Sequence, residues 1–130
     1  MRYLFFLLVL CCCLRTTLGL RSKVALVTGG SRGIGAGICE FLAEAGINLV
    51  IAYNADEEAA QALSDRLAAS YGVKCEVVGG DITLPQTRQR YCDKIDQAFD
   101  GRLDIFVCQM PVNEKGQYVG ATSKNADGLH

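Results

Sequence analysis

Histidine is almost missing from this sequence. The single copy, His130, closes the chain, and Cys39, Cys75, Cys92 and Cys108 stand at none of the spacings that build a zinc site. No metal centre is expected. Those four cysteines read as buried free thiols, with disulfides left open should the chain reach an oxidising lumen. A basic stripe is missing too: thirteen Lys and Arg and fourteen Asp and Glu, dispersed along the chain, give a formal net charge of -1. Neither nucleic acid nor anionic lipid is therefore expected as the main partner. There is no internal repeat and no low-complexity segment, and no second domain is expected.

Long apolar runs are limited to one, Tyr3 to Leu14. It is shorter than the roughly 20 residues a membrane span requires, and extending it through Leu20 would bury Arg15. With the positive start Met1-Arg2 before it and Thr17-Leu18-Gly19 after it, residues 1–19 read as a secretory or organelle-import signal. Two alternatives stay open: an uncleaved endoplasmic-reticulum membrane anchor through residues 3–14, and a mistaken gene start. Within this segment Cys11 to Cys13 act as small apolar residues. The expected location is the secretory pathway or an organelle lumen. Residues 20–110 are expected to form one domain, and residues 111–130, rich in Gly, Asn, Ser and charge towards their end, an irregular tail.

What the sequence does have is a glycine-rich turn in a telling place. Thr28-Gly29-Gly30-Ser31-Arg32-Gly33-Ile34-Gly35 follows the apolar run Val24 to Val27 and opens a stretch in which Ile34, Ile38, Phe41, Leu42 and Ala45 recur at helical spacing. Gly46 stops that helix, and Leu49, Val50 and Ile51 supply a second strand. Glycines let a backbone pass close to a pyrophosphate, and the free N–H groups of the following helix then point at the anion. Glycines alone would also suit an ordinary turn; the order strand, turn, helix, strand is what favours phosphate binding.

The pattern then repeats. Asp56 to Tyr71 carries Ala59, Ala60, Leu63, Leu67 and Ala68 near one side, and Gly72 ends it. Asn54 and Glu57 have capping-box spacing for its start. Cys75 to Val78 is a third strand, and Pro85 opens a helix with the stripe Tyr91, Ile95, Ala98 and Phe99. Leu103 to Val107 is a fourth strand. This alternation predicts an α/β fold of Rossmann type, a parallel sheet with helices on both faces, ending after about four strands.

The spacing Thr-Gly-x-x-x-Gly-x-Gly, the pair Asp81-Ile82 after the third strand, and the lead-in Gly101-Arg102-Leu103-Asp104 to the fourth resemble the short-chain dehydrogenase/reductase family over Lys23 to Val107. The resemblance implies strand order 3-2-1-4 and hydride transfer between a nicotinamide dinucleotide and a carbonyl or alcohol. It implies cofactor contacts from Thr28, Gly29, Ser31, Arg32, Gly33, Ile34, Gly35, Tyr53, Asn54, Asp81 and Ile82. The turn is also similar to that of 3-oxoacyl reductases. Charge bears on the choice of cofactor, because NAD needs a carboxylate at the end of the second strand and a 2′-phosphate needs a cation instead. Here that strand ends Ala52-Tyr53-Asn54 and the turn holds Arg32, so NADP is expected over NAD. Asp56 and Glu57 lie near in sequence and are read as residues of the helix start.

Other features of the family are not found. Its members use a Ser, a Tyr and a Lys four residues after that Tyr, whose charge lowers the phenol pKa from about 10. None of Tyr3, Tyr53, Tyr71, Tyr91 and Tyr118 has such a lysine, so no catalytic residue is assigned. Where the family's fourth strand leads into Asn-Asn-Ala-Gly, this chain has Cys108-Gln109-Met110-Pro111. The expected function is the NADP(H)-binding portion of a reductase, with a non-catalytic nucleotide-binding or interaction remnant, or no stable product, as alternatives. A fourth strand left as an open edge would favour self-association.

Overall fold

A computed structural model describes residues 23–109; the readings for residues 1–19 and 111–130 lie outside the described residues. Strand β1 (Val24–Thr28) is buried along its whole length because it runs down the middle of the sheet. On one side it pairs with β2 (Asn48–Tyr53), which pairs in turn with β3 (Cys75–Gly79). On the other side lies β4 (Ile105–Val107). All pairings are parallel and the order is β3-β2-β1-β4, as the resemblance implied. Parallel neighbours cannot be joined by tight hairpins, so each crossover carries a helix: α1 (Gly33–Glu44), α2 (Glu57–Tyr71) and α3 (Pro85–Phe99).

Successive strand residues face opposite sides of the sheet, and over β1 and β2 both sides are covered, which explains their nearly unbroken apolar runs, whereas Phe106 on edge strand β4 is exposed. Ala25, Val27, Leu49 and Ile51 pack against Cys39 and Ala43 of α1 and Leu63 and Leu67 of α2. Val24, Leu26, Val50, Ala52 and Val78 pack on the other face against Tyr91 and Ile95 of α3. Lys74 fastens the far end of α3, donating to the Ala98 carbonyl at 2.6 Å with its ammonium 4.9 Å from the Phe99 ring centroid. Among the described residues no helix is long and apolar enough to cross a membrane, and no cluster could hold a metal ion.

Several local expectations need correction. In α1 the buried face is Gly35, Cys39 and Ala43, while Ile34 and Phe41 are each 72% exposed. Close packing of Gly35 against the preceding turn sets the helix's rotation and turns those two residues outward. Helix α2 is capped by Asp56, whose carboxylate accepts the Ala59 N–H at 2.9 Å, and not by Asn54. Its inner face includes Ser64, which donates to the Cys75 carbonyl, while Ala59 and Ala68 are only partly buried. In α3 the fully buried Thr87 joins the inward face, and Leu84 precedes Pro85 without a side-chain cap. Burial fits Cys39, whose thiol it pushes up to about 12, and half-buried Cys75, pushed up to about 11. Cys92 and Cys108 are exposed instead.

Strand β4 starts two residues later than the sequence suggests because Asp104 is used as a clamp. Its backbone N–H donates to the Val24 carbonyl, and its carboxylate accepts the Val24 N–H at 2.9 Å and the Arg102 guanidinium. Hydrogen bonds from Arg102 first, then from Val24, hold the Asp104 carboxyl below its ordinary 3.8. A folded-state pKa below the unfolded value means that this stabilisation is complete above about pH 4 and is lost as pH falls through the lowered value. Denaturant titrations from pH 6 down to pH 2 should therefore show wild type losing stability more steeply below pH 4 than Asp104→Asn. Parallel curves would remove the clamp.

Candidate functional site

Three backbone and side-chain ties draw the loops after the strands together at the carboxyl edge of the sheet. The Gly30 N–H donates to the Ala52 carbonyl at 3.0 Å, and the Gly80 N–H donates to the Tyr53 carbonyl at 2.9 Å. Buried Thr28 takes both roles at the third tie: its Oγ1 accepts the Gln109 N–H at 2.9 Å and faces the Gln109 carbonyl at 3.1 Å. Between these loops lies a cavity of about 560 Å³. Such a crevice at the carboxyl ends of the strands is where open α/β sheets bind ligands.

Its floor at the turn is built from bare backbone. Gly29 has φ +61°, and a Cβ there would meet the Gln109 carbonyl oxygen at 2.8 Å. Gly35 permits a closer approach still, since a Cβ on it would lie 2.0 Å from the Gly29 carbonyl oxygen. The helix start that follows is uncapped. Arg32, the residue before α1, has extended backbone and makes no side-chain cap, and the first turn of α1 holds no acid. The leading N–H groups of a helix have no partner within it, and here Gly33 and Ile34 present that end to the cavity.

At the rim the Arg32 guanidinium pairs with the Asp56 carboxylate. Asp56 thus serves two partners at once, one oxygen capping α2 and the other meeting Arg32. Opposite, the Tyr53 ring covers Gly79, where a Cβ would lie 2.6 Å from it; burial, then Glu57, raises the phenol above its ordinary pKa. Asp81 is held by Thr83, whose N–H and hydroxyl donate to it at 2.9 and 2.7 Å and keep its carboxyl below the ordinary value. Ile82 rests on the α3 side of the core, and the Tyr91 hydroxyl donates to the Gly80 carbonyl.

Ten of the eleven residues singled out from the sequence line this one cavity; Gly35 lies beneath it, under the turn. Sequence reasoning missed Thr83, Tyr91 and Gln109, which also line it, and took Asp56 for a helix-start residue alone. Tyr91 was visible only as part of an apolar stripe. Gln109 was visible only as a departure from a familiar turn, whereas its backbone is what Thr28 binds.

Sheet order and crossover helices define a Rossmann-type α/β unit. Residues 23–125 match the short chain dehydrogenase family profile, and the chain belongs to that family. It is 32% identical over 108 residues to L-xylulose reductase of Hypocrea jecorina, covering 82% of this chain and 37% of that protein. It is 44% identical over 92 residues to a hydroxynaphthalene reductase-like protein of Metarhizium anisopliae, covering 71% and 34%. Among solved structures, L-sorbose reductase of Gluconobacter frateurii in complex with NADPH and L-sorbose superposes with a TM-score of 0.67 at 27% identity. That match covers 71% of this chain and 34% of the other. The NADPH-dependent 3-quinuclidinone reductase of Rhodotorula rubra gives 0.60 at 27%, covering 72% and 36%. The chain therefore spans about a third of the length of the relatives it matches.

Proposed function

We propose that these residues form the NADP(H)-binding portion of a reductase in which hydride passes between NADPH and a carbonyl or alcohol substrate. One observation carries the choice of cofactor: the rim of the cavity holds the Arg32 cation, and β2 ends in Tyr53, followed by Asn54, without an acid. The two solved relatives described as NADPH complex and NADPH-dependent enzyme support the same reading. The residues present fit the dinucleotide. The N–H groups at the start of α1 would hold its diphosphate, Arg32 with Ser31 and Asn54 its 2′-phosphate, and Asp81 with Ile82 its adenine side. The bound cofactor would supply the hydride. Thr28 keeps the turn and the Gln109 segment in register, and Thr83 holds the Asp81 carboxylate ionised and aimed.

No residue of this sequence is assigned to proton transfer, because no tyrosine has a lysine four positions on. The 130-residue chain is accordingly expected to bind without turning over. The 3-oxoacyl subtype rests on the turn's resemblance alone. Calorimetric titration of the full chain with NADPH and with NADH tests the proposal. NADPH should bind about tenfold more tightly, the worth of one partly solvated phosphate contact. A preference for NADH would overturn the cofactor assignment, and carbonyl-dependent NADPH oxidation by the chain would overturn the assignment of no catalysis.

A further inference from the structure

Arg32 is committed twice. It is the cation on the cavity rim, yet its guanidinium faces the carboxylate of Asp56, three residues past the end of β2. Asp56 lines the same cavity, whereas Glu57 and Glu58, the acids in the first turn of α2, do not. Resting on the reading that the cavity takes a 2′-phosphorylated dinucleotide, we propose that Asp56 is a specificity-setting positioning residue. Its carboxylate holds Arg32 when the rim is free and competes with the 2′-phosphate for it, so that preference for NADPH is held below what Arg32 alone would give.

The chemistry follows from counting charges at the rim. With Asp56 ionised, Arg32 is already neutralised, and a phosphate must displace a carboxylate from the guanidinium and then stay beside that freed anion. NADH, which carries a 2′-hydroxyl, asks for no such exchange. The pair is open to water, with the Arg32 side chain 73% and the Asp56 side chain 26% exposed, so exchange is cheap and the effect is one of degree. Helix capping can be separated from charge because one carboxylate oxygen takes the Ala59 N–H while the other meets Arg32. Asparagine retains the first function, being as good a cap as aspartate, and abolishes the second.

The test is a set of NADPH and NADH titrations on the full chain carrying Asp56→Asn, Asp56→Ala, or either with Arg32→Ala, each with a melting curve. Asp56→Asn should bind NADPH about three- to tenfold more tightly, with NADH changed by less than about twofold and little change in Tm. Asp56→Ala should show the same shift in the NADPH to NADH ratio with a Tm lowered by several degrees, since only the cap distinguishes the two variants. In the Arg32→Ala background the gain should shrink to what relief of repulsion between the carboxylate and the phosphate supplies, because no guanidinium is left to compete for. Asp56→Asn that leaves the cofactor ratio unmoved while wild type binds NADPH overturns this proposal alone, as does a gain that persists undiminished without Arg32. No saturable NADPH binding by wild type overturns the underlying reading and this one with it.

Discussion

Gly35→Ala should unfold the domain at a markedly lower temperature and abolish tight dinucleotide binding, although alanine is the better helix former. The new methyl carbon would sit 2.0 Å from the Gly29 carbonyl oxygen, 2.8 Å from the Gly29 carbonyl carbon and 3.0 Å from Gly30 Cα. All three are backbone atoms, so no side chain can swing aside, and either α1 or the glycine turn must move. Overpacking of this kind costs about 1–3 kcal/mol, or more when backbone is displaced. For a domain of this size that lowers Tm by roughly 5–20 °C. The same helix provides a control of opposite sign. A Cβ at Gly37 meets nothing within 4 Å, so Gly37→Ala should stabilise by about 0.5–1 kcal/mol through helix propensity. Thermal melts of the two variants give the answer; equal effects would mean that the turn and helix do not pack as described.

Arg32→Ala should weaken NADPH about tenfold while changing NADH by less than about twofold. Hydrogen bonds to charged groups contribute about 1.5–3 kcal/mol, and the exposure of this side chain places it at the low end. The gap between the cofactors should also narrow as salt is added, because the contact is screened. Stability should barely change, since Asp56 keeps its cap on Ala59 without Arg32. Arg32→Lys should recover part of the loss, retaining the charge but not the two-pronged donor. Equal losses for both cofactors would remove Arg32 from the 2′-phosphate.

The turn and the alternation of strands and helices could be read from sequence because each rests on local pattern: an apolar strand, a glycine spacing, an amphipathic stretch; the strand order and most of the cavity lining came from the family resemblance. What could not be read depends on which of several adequate residues the chain's path selects. Asn54 and Asp56 are both good caps, and Asp56 is chosen because helical backbone begins at Glu57. Ile34 and Phe41 suit an apolar face as well as Cys39 and Ala43 do, until contact between Gly35 and Gly29 fixes the helix's rotation. Cys92 shares the general tendency of cysteine to be buried, but its place on α3 faces water. The Arg32–Asp56 pair joins two loops that only the β1–β2 register brings side by side. No spacing rule reports such a meeting.

Dinucleotide binding at the carboxyl edge of the sheet is the central proposal, and amide chemical-shift mapping of the labelled chain during NADPH titration reports the position of binding directly. Saturable shifts should concentrate at residues 29–35, at Asn54 to Asp56 and at Asp81 to Thr83, the carboxyl edge of the sheet, while Lys23, Asn48 and Lys74 at the opposite edge stay still. Shifts centred on that opposite edge, or none that saturate, would contradict it.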